Sequence, residues 1–156
     1  MKSKLDQLND FLKSAQYQGR LLANPEAFDC WTEGGKVEPC SKRQNGDGII
    51  AARFVYQGTI SINPCYAPSA LVSTFVACWM QEHCGKYDSE RFEFSNDLND
   101  DNSSDFELTI AELHEDIELV LTENAPFVIG KQKYDFGESS LWIAEQFKLD
   151  ATVVSA

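Results

Sequence analysis

Acidic and amide side chains occur at every second position in the stretch SNDLNDDNSSDFEL, residues 95–108. Asp97, Asn99 and Asp101 stand where the loop of a calcium-binding helix-loop-helix places its first three oxygen ligands. The twelfth position of that loop must supply a bidentate glutamate, but here it is Leu108. The flanking residues also have strand-like rather than helical patterns. The spacing therefore argues against a calcium loop and favours an acidic surface turn.

The other reactive side chains form no pattern that is typical of catalysis or of metal binding. Five scattered cysteines without a Cys-x-x-Cys pair argue against a disulfide framework and a four-ligand zinc site. His83 and His114 are the only histidines, and no serine or cysteine lies in a nucleophile motif. No glycine-rich loop precedes a predicted helix in the way that phosphate binding requires. We therefore expect no enzyme activity, no metal and no cofactor.

The negative charge of the chain is confined to one segment. Residues 88–123 contain 13 acids and a single base, Arg91, so this segment carries the whole net charge of −12. Such a surface repels nucleic-acid phosphates and attracts basic partners, although a solvated, solubilising face is the alternative. The bases form no patch, which argues against sequence-specific nucleic-acid binding.

Two further classes are disfavoured by the hydrophobic pattern. No apolar run approaches the roughly 20 residues of a membrane span. The first ten residues, MKSKLDQLND, lack the apolar core of a secretory signal. We expect a protein that folds in a cytoplasm and does not enter a membrane.

Three segments are predicted to be helices. Leucines at helical spacing predict a helix over residues 3–16, with Ser3 as a cap. A second, short helix is predicted over residues 24–34, where Asn24 caps and the glycines stop it. The third begins near Ser69 and ends near Cys84. Its apolar stripe, widened by Leu71 and Cys78, should pack on a sheet: Val72, Phe75, Val76, Trp79 and Met80.

Other segments alternate apolar and polar side chains, as strands do. The longest covers residues 49–62 and predicts one buried face, with a bulge or bend at Gly58. A short strand over residues 91–97 leads into the acidic turn. Residues 127–136 also have a strand-like pattern.

The acidic segment is predicted to continue as an antiparallel hairpin. Residues 105–113 and 117–124 both alternate, and the sequence HED between them predicts a turn. His114 would then be exposed beside Glu115 and Asp116. The hairpin would bury one face and hold many of the acids on its solvated outer face.

The order of these elements predicts the fold class and the domain organisation. Helices come first and strands later, with one helix between them, which indicates an α+β fold. We expect a largely antiparallel or mixed β-sheet with two to three helices packed on one face. Residues 1–150 should form a single domain, and residues 151–156 should form a loose, disordered tail.

The stretch RFEFSNDLNDDNSSDFELTI, residues 91–110, resembles the signature of the tail completion protein R family of P2-like contractile-tailed phages. Upstream, NPEAFDCWTEGGKV is similar to the short helix of that family, and ARFVYQGTISI followed by LVSTFVACWMQEH is similar in order and spacing. The resemblance spans roughly residues 24–123. The motifs that carry it are Phe92-x-Phe94, Asp97-Leu98-Asn99, Asp101, Ser103-Ser104 and Phe106.

The resemblance implies a structural virion protein, encoded by a phage or prophage, that finishes the tail so that it can join the filled head. Wider analogy with tail-terminator proteins implies a ring of copies, commonly six-fold, and a tail-terminator-like fold. The implied partners are other copies, the tail tube protein, and a head-completion or neck protein. The implied location is the head-proximal end of the virion tail, after synthesis in the host bacterial cytoplasm.

Two questions stay open at the level of sequence. The clustered charge also fits an acidic binding module, an inhibitor or DNA mimic that occupies a basic partner surface. If the family resemblance holds, the loop over residues 97–105 could contact a partner, line a DNA channel or only keep the protein soluble. Its candidate interface or channel-facing residues are Asp97, Asn99, Asp100, Asp101 and Asp105.

Overall fold

The computed structural model describes residues 2–43 and 48–137, which form an α+β fold around an antiparallel sheet. The elements are α1 (Lys4–Ser14), β1 (Gln16–Tyr17), β2 (Arg20–Leu21), β3 (Phe28–Arg43), β4 (Gly48–Cys65), α2 (Ser69–His83), β5 (Glu93–Leu98), β6 (Ser104–Leu121), β7 (Phe127–Ile129) and β8 (Gln132–Phe136). Five strands of the sheet lie in the order β3-β4-β6-β8-β7, and the sixth, β5, pairs with β6. The predicted fold class is confirmed.

Both long helices lie where their periodicity predicts them. The Ser3 hydroxyl caps α1 by accepting the backbone N–H of Asp6 at 3.2 Å. Val72, Val76, Trp79 and Met80 of α2 are buried against the same core as the leucines of α1, while Phe75 is half-buried. Cys78 is exposed, so the prediction that it widens the buried stripe is wrong.

The predicted short helix over residues 24–34 is largely wrong. Asn24 does cap a helical turn, but it is a 3₁₀ turn that covers only Pro25–Ala27. The chain then enters β3, which pairs with β4 from Phe28 opposite Ile62 onward. Asn24 and Pro25 correctly predict one helical turn. The residues after it are extended because they pair with the 18-residue strand β4.

The predicted hairpin in the acidic segment is also wrong, because β6 is one continuous strand of 18 residues. The buried side chains of β6 lie at even-numbered positions up to Ile110 and at odd-numbered positions from Leu113 onward. At the same place the pairing with β4 shifts its register, between Tyr56 and Gly58 of β4. A bulge inserts an extra residue and so reverses which parity faces inward. The break in alternation is therefore a bulge rather than a turn, and the irregularity predicted at Gly58 is confirmed.

The strand-like pattern at residues 127–136 forms a hairpin of two strands, β7 and β8. Its two-residue loop, Gly130 and Lys131, has positive φ angles of 57° and 69°. These angles are typical of the tight turns that match the twist of paired strands.

The long strands β4 and β6 pass through two hydrophobic clusters. The main cluster lies beneath α1 and α2 and includes Leu8, Ile60 and Phe106. A smaller one, which we call the β8 cluster, contains Ile49, Ile117, Leu119 and Tyr134. No helix of the described residues is long and apolar enough to cross a membrane. The predicted tail at 151–156 lies outside the described residues, and the domain boundary at 150 stays a prediction.

Candidate functional site

The acidic turn, residues 99–103, joins β5 to β6 and is built by its own polar side chains. The backbone N–H of Asn99 donates to the carbonyl of Ser103 at 2.8 Å, and its side-chain amide donates to the Ser103 hydroxyl at 3.1 Å. The same amide donates to Asp105 at 3.0 Å. Asp101 accepts from the N–H of Ser103 at 3.1 Å and from its hydroxyl. Asn102 occupies the left-handed region at φ 66°.

These contacts separate the five predicted site residues into two kinds. Asn99 and Asp101 hold the turn in shape, and the hydrogen bonds from Ser103 hold the pKa of Asp101 below its ordinary value. Asp97 and Asp105 are exposed and face each other in register across β5 and β6, and Asp100 is exposed at the tip.

The surroundings of the turn do not resemble a metal centre. Within residues 2–43 and 48–137, no three His, Cys, Asp or Glu side chains are grouped so that they could hold a metal ion. The carboxylates of Asp97, Asp100 and Asp105 are exposed to solvent at and beside the turn.

Strand β5, next to the acidic turn, has an apolar and an acidic side. All six of its residues are exposed, including Phe94 (53% exposed) and Leu98 (84% exposed). Pairing with β6 places these two residues on the side of buried Phe106 and Leu108, and the Phe94 ring stacks on that of Phe106 at 6.0 Å. The opposite side carries Glu93, Ser95 and Asp97, paired with Thr109, Glu107 and Asp105 of β6.

The exposed apolar side chains of β5 were missed by sequence reasoning. Their alternation predicts a strand, and a strand ordinarily buries one row of side chains. Only the position of β5 at the edge of the sheet leaves Phe94 and Leu98 accessible. The six-residue alternation beside a run of acids is the sequence signal that could have suggested such an edge.

An apolar surface lies at the same end of the molecule as the acidic turn. The side chain of Tyr66, near Asp101, also acts to lower the pKa of that carboxyl, after the larger effect of Ser103. The ring of Tyr66 lines a groove of about 420 Å³ together with Tyr17, Leu21 and Leu71. Tyr66, Tyr17 and Leu21 are all exposed. Exposed aromatic side chains therefore lie beside the acidic turn.

A buried polar network connects residues 85–89 to the middle of β6, away from the acidic turn. The Lys4 ammonium contacts Asp88 Oδ2 at 2.7 Å, and the Asp88 side chain is fully buried. Asp88 also accepts the backbone N–H groups of Gly85 and His114, each at 2.8 Å. Ser89 exchanges two hydrogen bonds with the backbone of Glu112. Residues 85–89 thus form hydrogen bonds with β6 along the part of its edge that neither β5 nor β8 covers.

Glu115 is the second buried acid of this network. Its Oε2 accepts the Tyr56 hydroxyl at 2.6 Å and the backbone N–H of Lys4 at 2.9 Å. Burial raises the pKa of Glu115, although these hydrogen bonds oppose the shift. Burial also acts to raise the pKa of Asp88, but the bonds from Lys4, Gly85 and His114 outweigh it and lower the pKa.

The network corrects the expectation that His114 and Glu115 lie in an exposed turn. Both are in the middle of β6, where His114 lies 3.0 Å from Asp88 Oδ1 and Glu115 is buried. Since Asp88 and Glu115 are internal, the acidic surface consists of the other carboxylates of the segment. Those around the acidic turn and β5 are the most exposed group.

Comparison with known families decides what kind of protein carries this surface. The model of the family described as P2 phage tail completion protein R (GpR) matches residues 2–135, from just before α1 into β8. The chain belongs to the P2 phage tail completion protein R (GpR) family. No curated protein and no solved structure matches it.

The GpR match confirms the resemblance that rests on residues 91–110, and it extends beyond residues 24–123 at both ends. The protein is thus a phage tail completion protein, from a structural protein family of the virion tail. The acidic turn, β5 and the buried network all lie within the matched residues.

Proposed function

We propose that this protein is a tail terminator subunit, which finishes the tail tube and allows the filled head to join it. The observation that carries the proposal is the GpR family match over residues 2–135. In this role the protein acts without catalysis, at the head-proximal end of the tail, as a ring of copies that is commonly six-fold. It contacts the tail tube protein on one side and a head-completion or neck protein on the other.

The distribution of charge supports an assembly role. A ring subunit needs two different surfaces, because head-to-tail contacts between copies are heterologous. Residues 93–107 contain six acids and no base, whereas the part of the chain outside residues 88–123 is neutral. The protein therefore offers two chemically distinct surfaces to its neighbours.

The acidic turn is the part of this surface that we assign to contact. Asp97 and Asp100 are exposed, and within the described residues no lysine or arginine forms an ion pair with either. Facing a basic neighbour, they would steer and orient it. Facing a channel, they would let DNA pass without binding, because a negative wall offers no release of counterions.

The proposal is tested with a phage that lacks this gene and is complemented by variants. Without the protein we expect tails of uncontrolled length or tails without heads in electron micrographs. Replacing Asp97 and Asp100 by asparagine should lower the yield of infectious particles while the purified protein keeps its fold. The matched control neutralises two exposed acids elsewhere, Glu26→Gln and Glu38→Gln, and should leave the yield unchanged.

A broader variant makes the test decisive. Neutralising Asp97, Asp100, Asp101 and Asp105 together removes four charges from the turn and its flanks. Normal yields from that variant would show that the acidic turn has no part in assembly. Complete tails joined to heads in the absence of the protein would contradict the terminator role itself.

A further inference from the structure

The free edge of β5 is continuous. Its six residues pair with β6 without interruption, from Glu93 opposite Thr109 to Leu98 opposite Ser104. On the other side of β5, no strand of the described residues is paired with it, and all six residues are exposed. A row of unpaired backbone N–H and C=O groups is a template for another extended chain.

This edge lacks most of the features that ordinarily protect an edge strand. Strand β5 contains no proline, no lysine and no bulge, and it carries two large exposed apolar side chains, Phe94 and Leu98. The edge strand β3 is different, because it contains Pro39 and two register shifts. The edge strand β7 has only three residues and follows Pro126. Strand addition is therefore favoured at β5.

The two sides of β5 specify the side chains that an added strand would need. Successive side chains of such a strand point to opposite sides of the sheet. One row would cover Phe94 and Leu98, and so would be apolar. The other row would approach the carboxylates of Glu93 and Asp97, with Asp105 and Glu107 one strand further in, and so would be basic.

A second copy of the chain fits this edge poorly. Pairing of β5 with β5 would bring two acidic rows together, which is unfavourable for like charges on neighbouring strands. The longer alternative, β3, is interrupted by its proline and its bulges. The occupant should therefore come from a different protein.

We infer that the edge of β5 binds an extended segment of a partner protein in which apolar and basic residues alternate. The segment adds a strand to the sheet over the six residues of β5, a length of about 20 Å at about 3.4 Å per residue. Main-chain hydrogen bonds provide affinity, and the alternation of side chains provides selectivity. The inference deepens the proposed function, on which it rests for the nature of the partner as a tail or neck protein.

The probe for this inference is a synthetic peptide of about seven residues in which lysine and valine alternate. One control peptide has the same composition with the lysines and valines in separate blocks, and a second replaces each lysine by glutamate. The readout is amide hydrogen exchange of the full chain. We expect the alternating lysine peptide to slow exchange in β5 by about tenfold or more and to leave α1 unchanged. Neither control peptide should do so.

A variant of the protein provides the second arm. Leu98→Lys places an ion on the apolar side of β5, where the valines of the bound peptide would lie, so it should abolish the protection of β5. The matched control is Val37→Lys, at an exposed apolar position of β3, which should keep it. Unfolding curves of both variants show whether the fold is retained.

Each outcome decides the inference. No protection by the alternating lysine peptide would overturn strand addition, and equal protection by the glutamate peptide would overturn the basic partner. Protection of β5 in a self-associated form without peptide would assign the edge to a second copy instead. If the peptide fails while phage assembly still requires Asp97 and Asp100, strand addition is wrong and the terminator proposal stands.

Discussion

The Lys4–Asp88 pair connects the first turn of α1 to the segment that covers the edge of β6. Its atoms are 2.7 Å apart, and the Asp88 side chain is fully buried. We predict that Asp88→Asn lowers the free energy of unfolding by about 3 kcal/mol, because it leaves the Lys4 ammonium without its charged partner in a desolvated place. Urea denaturation of the variant measures this change.

An exposed ion pair between α1 and the residues that precede it serves as the control. Lys2 and Asp10 lie 2.6 Å apart, but each side chain is 49% exposed. Lys2→Met should therefore cost much less stability than Asp88→Asn, because exposed ion pairs contribute little. The double variant Lys4→Met with Asp88→Asn should cost less than the sum of the two single changes. An Asp88→Asn protein as stable as Lys2→Met would contradict the role assigned to the buried pair.

The two buried acids should make opposite contributions to the pH dependence of stability. The lowered pKa of Asp88 means that its contribution is present above its unfolded pKa and is lost as pH falls through the folded pKa. The raised pKa of Glu115 means that its contribution is complete below its unfolded pKa, about 4.3, and is lost as pH rises through the folded pKa.

Glu115→Gln isolates the second contribution. The amide oxygen can still accept from Tyr56 and Lys4, but the side chain no longer ionises. We predict that the stability lost by the native protein as pH rises above about 4.3 is reduced in this variant. Unfolding curves at a series of pH values measure the effect, with Glu107→Gln as an exposed control on the same strand. Identical pH profiles for the native protein and Glu115→Gln would disprove the assignment.

The sequence predicts which residues form the acidic turn but not how each is used. Asn99 and Asp101 look equivalent to Asp97 and Asp100 in the sequence, since all four are acidic or amide residues within positions 97–101. Their roles differ because Ser103 folds back onto the first pair. The sequence pattern places Asp88 and Glu115 among the charged surface residues. Both are in fact buried in contact with Lys4, which is distant along the chain, so no local pattern reveals their burial.

At the scale of elements, periodicity predicts α1 and α2, since each buries one regular face. It also predicts β4 as a strand, although β4 has buried residues at both odd and even positions. It fails for β6, where the extra residue of a bulge has the same signature as a turn. It fails also for β3, where Asn24 and Pro25 start a helical turn and the partner strand then determines an extended chain. Both errors arise from long-range pairing, which single-segment patterns do not contain.

At the bulge between β4 and β6, Leu5 of α1 lies directly against the sheet. A Cβ atom on Gly58 would lie 2.9 Å from Leu5 Cδ1 and 3.3 Å from Leu113 Cδ1. We predict that Gly58→Ala lowers the free energy of unfolding by about 1–3 kcal/mol through overpacking. Chemical denaturation measures the loss.

Gly85→Ala is the matched control, because a Cβ atom there would have no neighbour within 4 Å. The double variant Leu5→Ala with Gly58→Ala should lose less stability than the sum of the losses of the two single variants, since the smaller side chain at position 5 removes the clash. Full additivity of the two changes would show that Gly58 and Leu5 do not share this contact.

At the scale of the whole molecule, the acidic turn and the helices lie towards one end of the long strands, and the β8 cluster lies towards the other. The turn, the free edge of β5 and the groove beside Tyr66 adjoin the main cluster, which α1 and α2 cover. The surface that we propose to bind neighbouring proteins is thus supported by the larger of the two clusters.

The two clusters should therefore differ in how readily they open. The β8 cluster has four buried residues, and the partly buried residues packed around it, such as Phe54 and Phe136, all lie on strands. Opening free energies follow local apolar burial. We predict that amide hydrogens of β8 exchange through local openings that are insensitive to denaturant, whereas those of β6 around Leu108 exchange only on global unfolding. Native-state hydrogen exchange measures both, and equal exchange free energies would show that the sheet opens as one unit, because a shared opening gives both regions the same free energy.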